Sequence, residues 1–177
     1  MDVIVPVHGE GAVFRRCAAS LARHHREGEH VVVVQDGPGD ADTAAGLDEL
    51  RELHVPLTVI THDRARGFVA SANAGMRAST EDVILLNNDT RVTAGWSAQL
   101  ARAAYSSADI ATATPFCNHA TICSLPRPFV ENALPAGYDA DRFAALVSSV
   151  ALREYPALPT GVGVCLFVKR QVIAEIG

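Results

Sequence analysis

The sequence predicts an α/β domain with a mostly parallel sheet flanked by helices. Short apolar runs recur at residues 3–7, 31–34, 57–60 and 83–86. Between them lie segments whose apolar residues repeat at helical spacing. The run Val31-Val32-Val33-Val34 is continuous and β-branched rather than alternating, as suits a strand covered on both faces. Strands alternating with helices of this length make βαβ units, whose right-handed crossovers restrict the topology.

Val3-Ile4-Val5-Pro6-Val7 opens the chain as a strand. A helix over residues 11–23 follows, with Val13, Phe14, Cys17, Ala18 and Leu21 on one face. The second strand stops at Gln35-Asp36-Gly37-Pro38-Gly39, a cluster of turn formers. Asp42 or Thr43 is the expected cap of the next helix, whose apolar face carries Leu47, Leu50 and Leu53. After the third strand, a helix over residues 67–78 shows Phe68, Val69, Ala72 and Met76 at helical spacing. Beyond the fourth strand the rhythm changes. A helix is expected over residues 96–105 and a weaker strand over 110–114. Residues 115–138 are rich in proline, asparagine and turn formers, and a connection that long inside a compact domain is often functional. A helix over 141–150, a buried run over 164–168 and a helix from Arg170 that stops at Gly177 complete the chain.

The 177 residues suffice for one domain with a real core. A net charge of −5 and dispersed arginines leave no electrostatic footprint for nucleic acid. No apolar run approaches the ~20 residues that cross a bilayer, and no basic-then-apolar leader opens the chain. The expected location is the cytoplasm, with peripheral association at the inner membrane face compatible with it. Cys17 and Cys165 sit in apolar patterns and read as small buried hydrophobes. Cys117, His119 and Cys123 lack both zinc spacing and a fourth ligand.

Leu85-Leu86-Asn87-Asn88-Asp89-Thr90 is the segment richest in chemistry. A buried strand ending in two amides and a carboxylate delivers oxygen ligands to the carboxyl edge of the sheet, where open α/β sheets bind ligands. Mg²⁺ or Mn²⁺ takes few carboxylates and bridges to substrate phosphates. Asp89 is therefore the candidate metal ligand, although the same residues also suit a plain turn. Asp36 and Asp63 follow the second and third strands. A carboxylate at Asp36 suits the imide N–H of uracil or thymine. Arg66 can stack on a base or pair with a phosphate, and Gly67 lets the backbone come close. Asn73 and Gly75 are poor helix formers inside a helix; Asn73 is expected to face the crevice and Gly75 to permit close packing. The first strand–helix turn, Pro6-Val7-His8-Gly9-Glu10-Gly11, has neither a Gly-x-Gly-x-x-Gly nor a Gly-Lys-Ser/Thr motif, which argues against a dinucleotide site or a P-loop.

Four segments in this order resemble family 2 glycosyltransferases of the GT-A fold: Val3-Ile4-Val5-Pro6-Val7-His8-Gly9, Val32-Val33-Val34-Gln35-Asp36-Gly37, Arg66-Gly67-Phe68-Val69-Ala70-Ser71-Ala72-Asn73-Ala74-Gly75 and Leu85-Leu86-Asn87-Asn88-Asp89-Thr90. Asn118-His119-Ala120-Thr121-Ile122-Cys123-Ser124 resembles a segment of bacterial members that build O-antigen and other surface polysaccharides. The resemblance implies a Rossmann-like GT-A sheet. It implies metal-dependent, inverting transfer of a sugar from a UDP- or dTDP-sugar to a glycan or lipid-linked acceptor. Pro6, His8 and Glu10 would line the nucleotide pocket; Asp36 would hold the base and Arg66 would flank it. Asn87-Asn88-Asp89 would stand for the family's Asp-x-Asp, with Asn87 on a ribose hydroxyl and Asp89 on Mg²⁺ or Mn²⁺ bridging the diphosphate. The expected donor contacts are thus Pro6, His8, Glu10, Asp36, Asp63, Arg66, Gly67, Asn73, Asn87 and Asn88.

Inverting transfer needs a carboxylate to take the acceptor proton. In this family it lies beyond the segment matching Gly177, and Glu131, Asp139, Asp141 and Glu154 sit in no matching motif. The expectation is a C-terminally truncated domain over residues 1–177, with a nucleotide-sugar half (1–95) and an acceptor-side half (96–177). It should bind nucleotide better than it transfers sugar, and its uncovered apolar surface favours self-association. The alternative is a nucleotide-binding or assembly module without catalysis.

Overall fold

The structure, a computed structural model, describes residues 1–176. Strands β1 (Asp2–Val7), β2 (His30–Asp36), β3 (Leu57–His62) and β4 (Val83–Leu86) alternate with helices α1 (Gly11–His24), α2 (Ala41–Glu52) and α3 (Phe68–Ala78). Then come α4 (Trp96–Ala104), β5 (Thr112–Ala113), α5 (Ala140–Val150), β6 (Cys165–Val168) and α6 (Arg170–Ile176). All six strands form one sheet in the order β3-β2-β1-β4-β6-β5. β1 to β4 run parallel, as expected, while β6 is antiparallel to both β4 and β5. β5 ends at the carboxyl edge, and the excursion through α5 returns the chain to that same edge, so β6 must run back.

Pleating assigns the core. Val3, Val5, Val7, Val31, Val33, Ile84, Leu86 and Phe167 share one face with Phe14, Cys17 and Leu21 of α1, Leu47 and Leu50 of α2 and Leu100 of α4. Ile4, Val32, Val34, Val83 and Val168 share the other face with Ala74 and Met76 of α3 and Val172 and Ile173 of α6. The four valines of β2 are thus divided between two covered faces.

Several local expectations change. Phe68 and Val69 are 51% and 70% exposed, and α3 instead buries Ser71, Ala72 and Gly75. A Cβ on Gly75 would stand 2.2 Å from Ile4 Cγ2, so the helix lies too close to the sheet for a large side chain. Leu53 caps the C-terminus of α2 and is 57% exposed. The N-cap of α2 is Asp40, not Asp42 or Thr43. The expected strand over 110–114 shrinks to Thr112–Ala113. Gly177, expected to end the last helix, lies outside the described residues.

The amino edge of the parallel strands, opposite the crevice, is tied by Asp82. Its carboxylate accepts from the Arg170 backbone N–H and the Tyr105 hydroxyl, both at 2.8 Å. The Arg170 guanidinium donates to the Met76 and Ser79 carbonyls and closes the C-terminus of α3.

Candidate functional site

The chain steps outward through β2 and β3, then returns to place β4 on the other side of β1. The carboxyl ends of β1 and β4 therefore flank a topological switch point, the usual ligand crevice of an open α/β sheet. Two groups of residues collect along this edge.

The first is built around Asp36, the last residue of β2, which is 3% exposed. Parallel register sets it beside His62 at the end of β3. His62 Nδ1 donates to Asp36 Oδ1 at 2.9 Å, the Arg66 N–H donates to the same oxygen at 2.8 Å, and the Gly67 N–H donates to Oδ2 at 2.8 Å. Gly67 adopts φ +87° with open space where a Cβ would stand, so its demand is conformational, and it turns consecutive amides onto one carboxylate. Burial alone would raise the Asp36 pKa, but the hydrogen bonds from His62, Arg66 and Gly67 outweigh it and hold the carboxyl at about 2. The Ser71 hydroxyl, 1% exposed and without a well-formed hydrogen bond, adds to that pull. From the end of β1, His8 Nδ1 donates to the Asp36 carbonyl at 2.7 Å, and Nε2 of the exposed ring makes no hydrogen bond among the described residues. The Arg66 side chain is exposed beside this cluster.

The second group follows β4. The turn Asn87-Asn88-Asp89-Thr90 closes with a Thr90 N–H to Asn87 carbonyl bond of 3.1 Å. It is pinned to the approach of β6 by Asn87 N–H to the Val164 carbonyl at 3.1 Å, and to α1 by the Cys17 thiol on the Asn87 carbonyl. Asn87 and Asn88 are half-buried, whereas Asp89 is exposed and makes no side-chain hydrogen bond or ion pair among the described residues. The turn and the candidate ligand therefore coincide: the backbone bonds make the turn, and the Asp89 carboxylate remains available. Burial and the nearby Asp89 charge push the Cys17 thiol up to about 12. β2 and β4 flank β1, so the two groups lie about two strand spacings apart, ~10 Å.

Other expected residues are placed differently. Pro6 is buried within β1 beside Val34, and Glu10 is exposed at φ 49°, opening α1. Asn73 is half-buried within α3, and Asp63, exposed, follows directly on His62 of the first group; neither side chain makes a hydrogen bond or ion pair among the described residues. His62, Asp40 and Ser71 were missed by sequence reasoning. Only the β2–β3 register reveals His62.

Helix N-termini would ordinarily attract phosphate. Here protein carboxylates occupy them. Asp40 accepts from the Gly11 N–H at the start of α1 (3.3 Å) and from the Thr43 N–H (2.8 Å) and hydroxyl (2.9 Å) of α2. A Cβ on Gly11 would sit 1.8 Å from Asp40 Oδ1, so glycine alone permits this approach. Asp36 likewise takes the amides that lead into α3.

Residues 115–138 fold onto the buried Asn132, whose amide donates to the Ser124 hydroxyl and to the Arg127 and Val130 carbonyls. Two of the downstream acids serve structure: Asp139 caps α5 through the Arg142 N–H at 2.8 Å, and Asp141 pairs with His24 at 3.0 Å and Arg23 at 3.5 Å; Glu131 and Glu154 are exposed and make no side-chain hydrogen bond or ion pair among the described residues.

No three His, Cys, Asp or Glu side chains gather to hold a metal among the described residues. A lone exposed carboxylate such as Asp89 fits Mg²⁺ or Mn²⁺ only where substrate oxygens and water complete the shell. No helix among the described residues is long and apolar enough to cross a membrane.

A parallel sheet with its switch point between β1 and β4, closed by an antiparallel β6, defines a GT-A domain. The chain belongs to glycosyl transferase family 2, whose family model matches residues 2–177. Among solved structures it is similar to a mannosyltransferase from Pyrobaculum calidifontis in complex with GDP-Man and Mn²⁺. Identity there is 22%, covering 67% of this chain and 35% of that one, with a TM-score of 0.54. It is also similar to S. aureus TarS in complex with UDP-GlcNAc, at 21% identity over 58% of this chain and 30% of that one, with a TM-score of 0.51. The chain spans about a third of the length of these neighbours, and the likeness is one of fold. Comparison with curated proteins found no significant match.

Proposed function

We propose that this domain binds a uridine or thymidine diphosphate sugar across the β2–β1–β4 edge and serves glycosyl transfer to a glycan or lipid-linked acceptor. The observation that carries the proposal is the pairing of a buried, ionised Asp36 with an exposed, unengaged Asp89 on either side of the switch point. Asp36 retains one free acceptor position on Oδ2, enough for the single imide N–H of uracil or thymine. Arg66 lies where it can cover the base, and Asn87 can bond a ribose hydroxyl. His8, whose Nδ1 is committed to the Asp36 carbonyl, presents Nε2 as an acceptor to the nucleoside.

Asp89 would hold Mg²⁺ or Mn²⁺, which when bound offsets charge on the leaving nucleoside diphosphate. The chain's own residues fix the nucleoside, orient the diphosphate toward the turn after β4 and withhold helix N-termini from it. The stitched segment 115–138 stands on the acceptor side, and the resemblance of residues 118–124 to surface-polysaccharide enzymes supports a cell-surface glycan as acceptor.

Calorimetric titration of UDP and dTDP, with and without Mn²⁺, tests this directly. The cation should strengthen binding of both nucleotides markedly, and Asp89→Ala should abolish that gain. Cation-independent binding that Asp89→Ala leaves untouched would remove Asp89 from the site.

A further inference from the structure

We propose that His62, a residue outside the expected donor contacts, determines base specificity by limiting how many hydrogen bonds Asp36 can accept. The inference rests on Asp36 holding the base. An ionised carboxylate offers about two acceptor positions on each oxygen. At Asp36, Oδ1 receives both His62 Nδ1 at 2.9 Å and the Arg66 N–H at 2.8 Å, so it is full. Oδ2 receives only the Gly67 N–H at 2.8 Å, so one position is open. The buried Ser71 hydroxyl, which has no well-formed hydrogen-bond partner, is the weak donor that a base N–H at this carboxylate would displace.

Bases differ in what they ask of such a group. Uracil and thymine present one imide N–H. Guanine presents two adjacent donors, N1–H and N2–H, which a carboxylate meets with one open position on each oxygen. With His62 in place, guanine would leave one of its donors facing a filled oxygen, and an unpaired donor at a buried site is costly. Without His62, Oδ1 regains a position and Asp36 can meet guanine with both oxygens. His62 is itself buried at the end of β3, where register sets its backbone beside Asp36 and its ring bonds the carboxylate. It acts on the ligand only through the carboxylate, as a positioning residue.

UDP and GDP binding should be measured by calorimetry, with Mn²⁺, on the protein and on its His62→Leu, His62→Asn and Asp36→Asn variants, each checked for a folded thermal transition. The unaltered protein should prefer UDP. His62→Leu, which keeps bulk and loses the donor, should shrink the UDP-to-GDP ratio by about tenfold, the worth of one charge-assisted hydrogen bond. His62→Asn, whose amide can refill Oδ1, should restore the original ratio. Should His62→Leu not fold, His62→Ala carries the same comparison. An unchanged ratio in the donor-free variant, or an equal change in His62→Asn, would overturn the role of His62 while leaving Asp36 as the base contact. UDP binding insensitive to Asp36→Asn would instead overturn the base contact, and the inference with it.

Discussion

Replacing Asp36 by asparagine isolates the clasp that joins β2 to the start of α3. Its carboxyl is held from 3.8 down to about 2. At ~1.4 kcal/mol per pH unit this sets a ceiling of ~2.5 kcal/mol at neutral pH. Water at the rim of the crevice screens part of that, so ~1–2 kcal/mol is the working figure. Asparagine keeps one acceptor oxygen but turns an NH₂ toward either Gly67 N–H or the His62–Arg66 pair, donor against donor. For a chain of this size the melting temperature should fall by roughly 3–6 °C.

The sign is fixed by the direction of the shift. A carboxyl whose folded pKa is depressed contributes stability above its unfolded pKa and loses it as pH falls through the folded value. The gap between the two proteins should be full at pH 7, narrow below about pH 4 and close toward pH 2. Urea midpoints at pH 7, 5, 4 and 3, read by far-ultraviolet circular dichroism, provide the measurement. Equal stability at pH 7, or a gap that persists unchanged down to pH 3, would refute an ionised clasp.

Two further outcomes follow from packing and burial. Gly75→Ala drives a methyl into Ile4 Cγ2, and should cost ~1–3 kcal/mol of overpacking, reduced by up to ~1 kcal/mol of better helix propensity; chemical denaturation should show net destabilisation despite the stronger helix former. Maleimide at pH 7.5 should modify Cys117 first, because burial raises the thiols of Cys17, Cys165 and Cys123 and shields them; peptide mapping that finds Cys17 or Cys165 labelled in the folded protein would contradict the core assignment.

What was legible in the sequence was what repeats. The valines at 31–34 announce a strand covered on both faces, and the two clusters that divide them confirm it. The segment after β4 was legible because amides and an acid follow an apolar run abruptly. The face of α3 was not, because large side chains dominate a periodicity count, whereas close approach selects small ones: Ser71, Ala72 and Gly75 lie beneath, and Phe68 and Val69 overhang the edge. The cap of α2 was misplaced because Asp40 is chosen by a long-range partner, the Gly11 N–H, as well as by its own helix. His62 was invisible for the same reason: its role is set by the pairing of β2 with β3, which no local pattern encodes.

The electrostatics of the edge lead to one more test. A phosphate could be neutralised by helix N-termini, by arginine or by a cation. Asp40 and Asp36 already sit on the amides that open α1, α2 and α3, and a second anion there would meet like charge as well as occupied donors. The exposed arginines beside these strand ends, Arg64, Arg66 and Arg91, and a cation at Asp89 remain. Uridine and UDP should therefore differ strongly in affinity when Mn²⁺ is present, and chelation should collapse most of that difference while leaving uridine binding, which depends on the Asp36 clasp, unchanged. A UDP affinity that survives chelation at full strength would mean that helix amides or arginines carry the diphosphate, and that Asp40 and Asp36 give way when it binds.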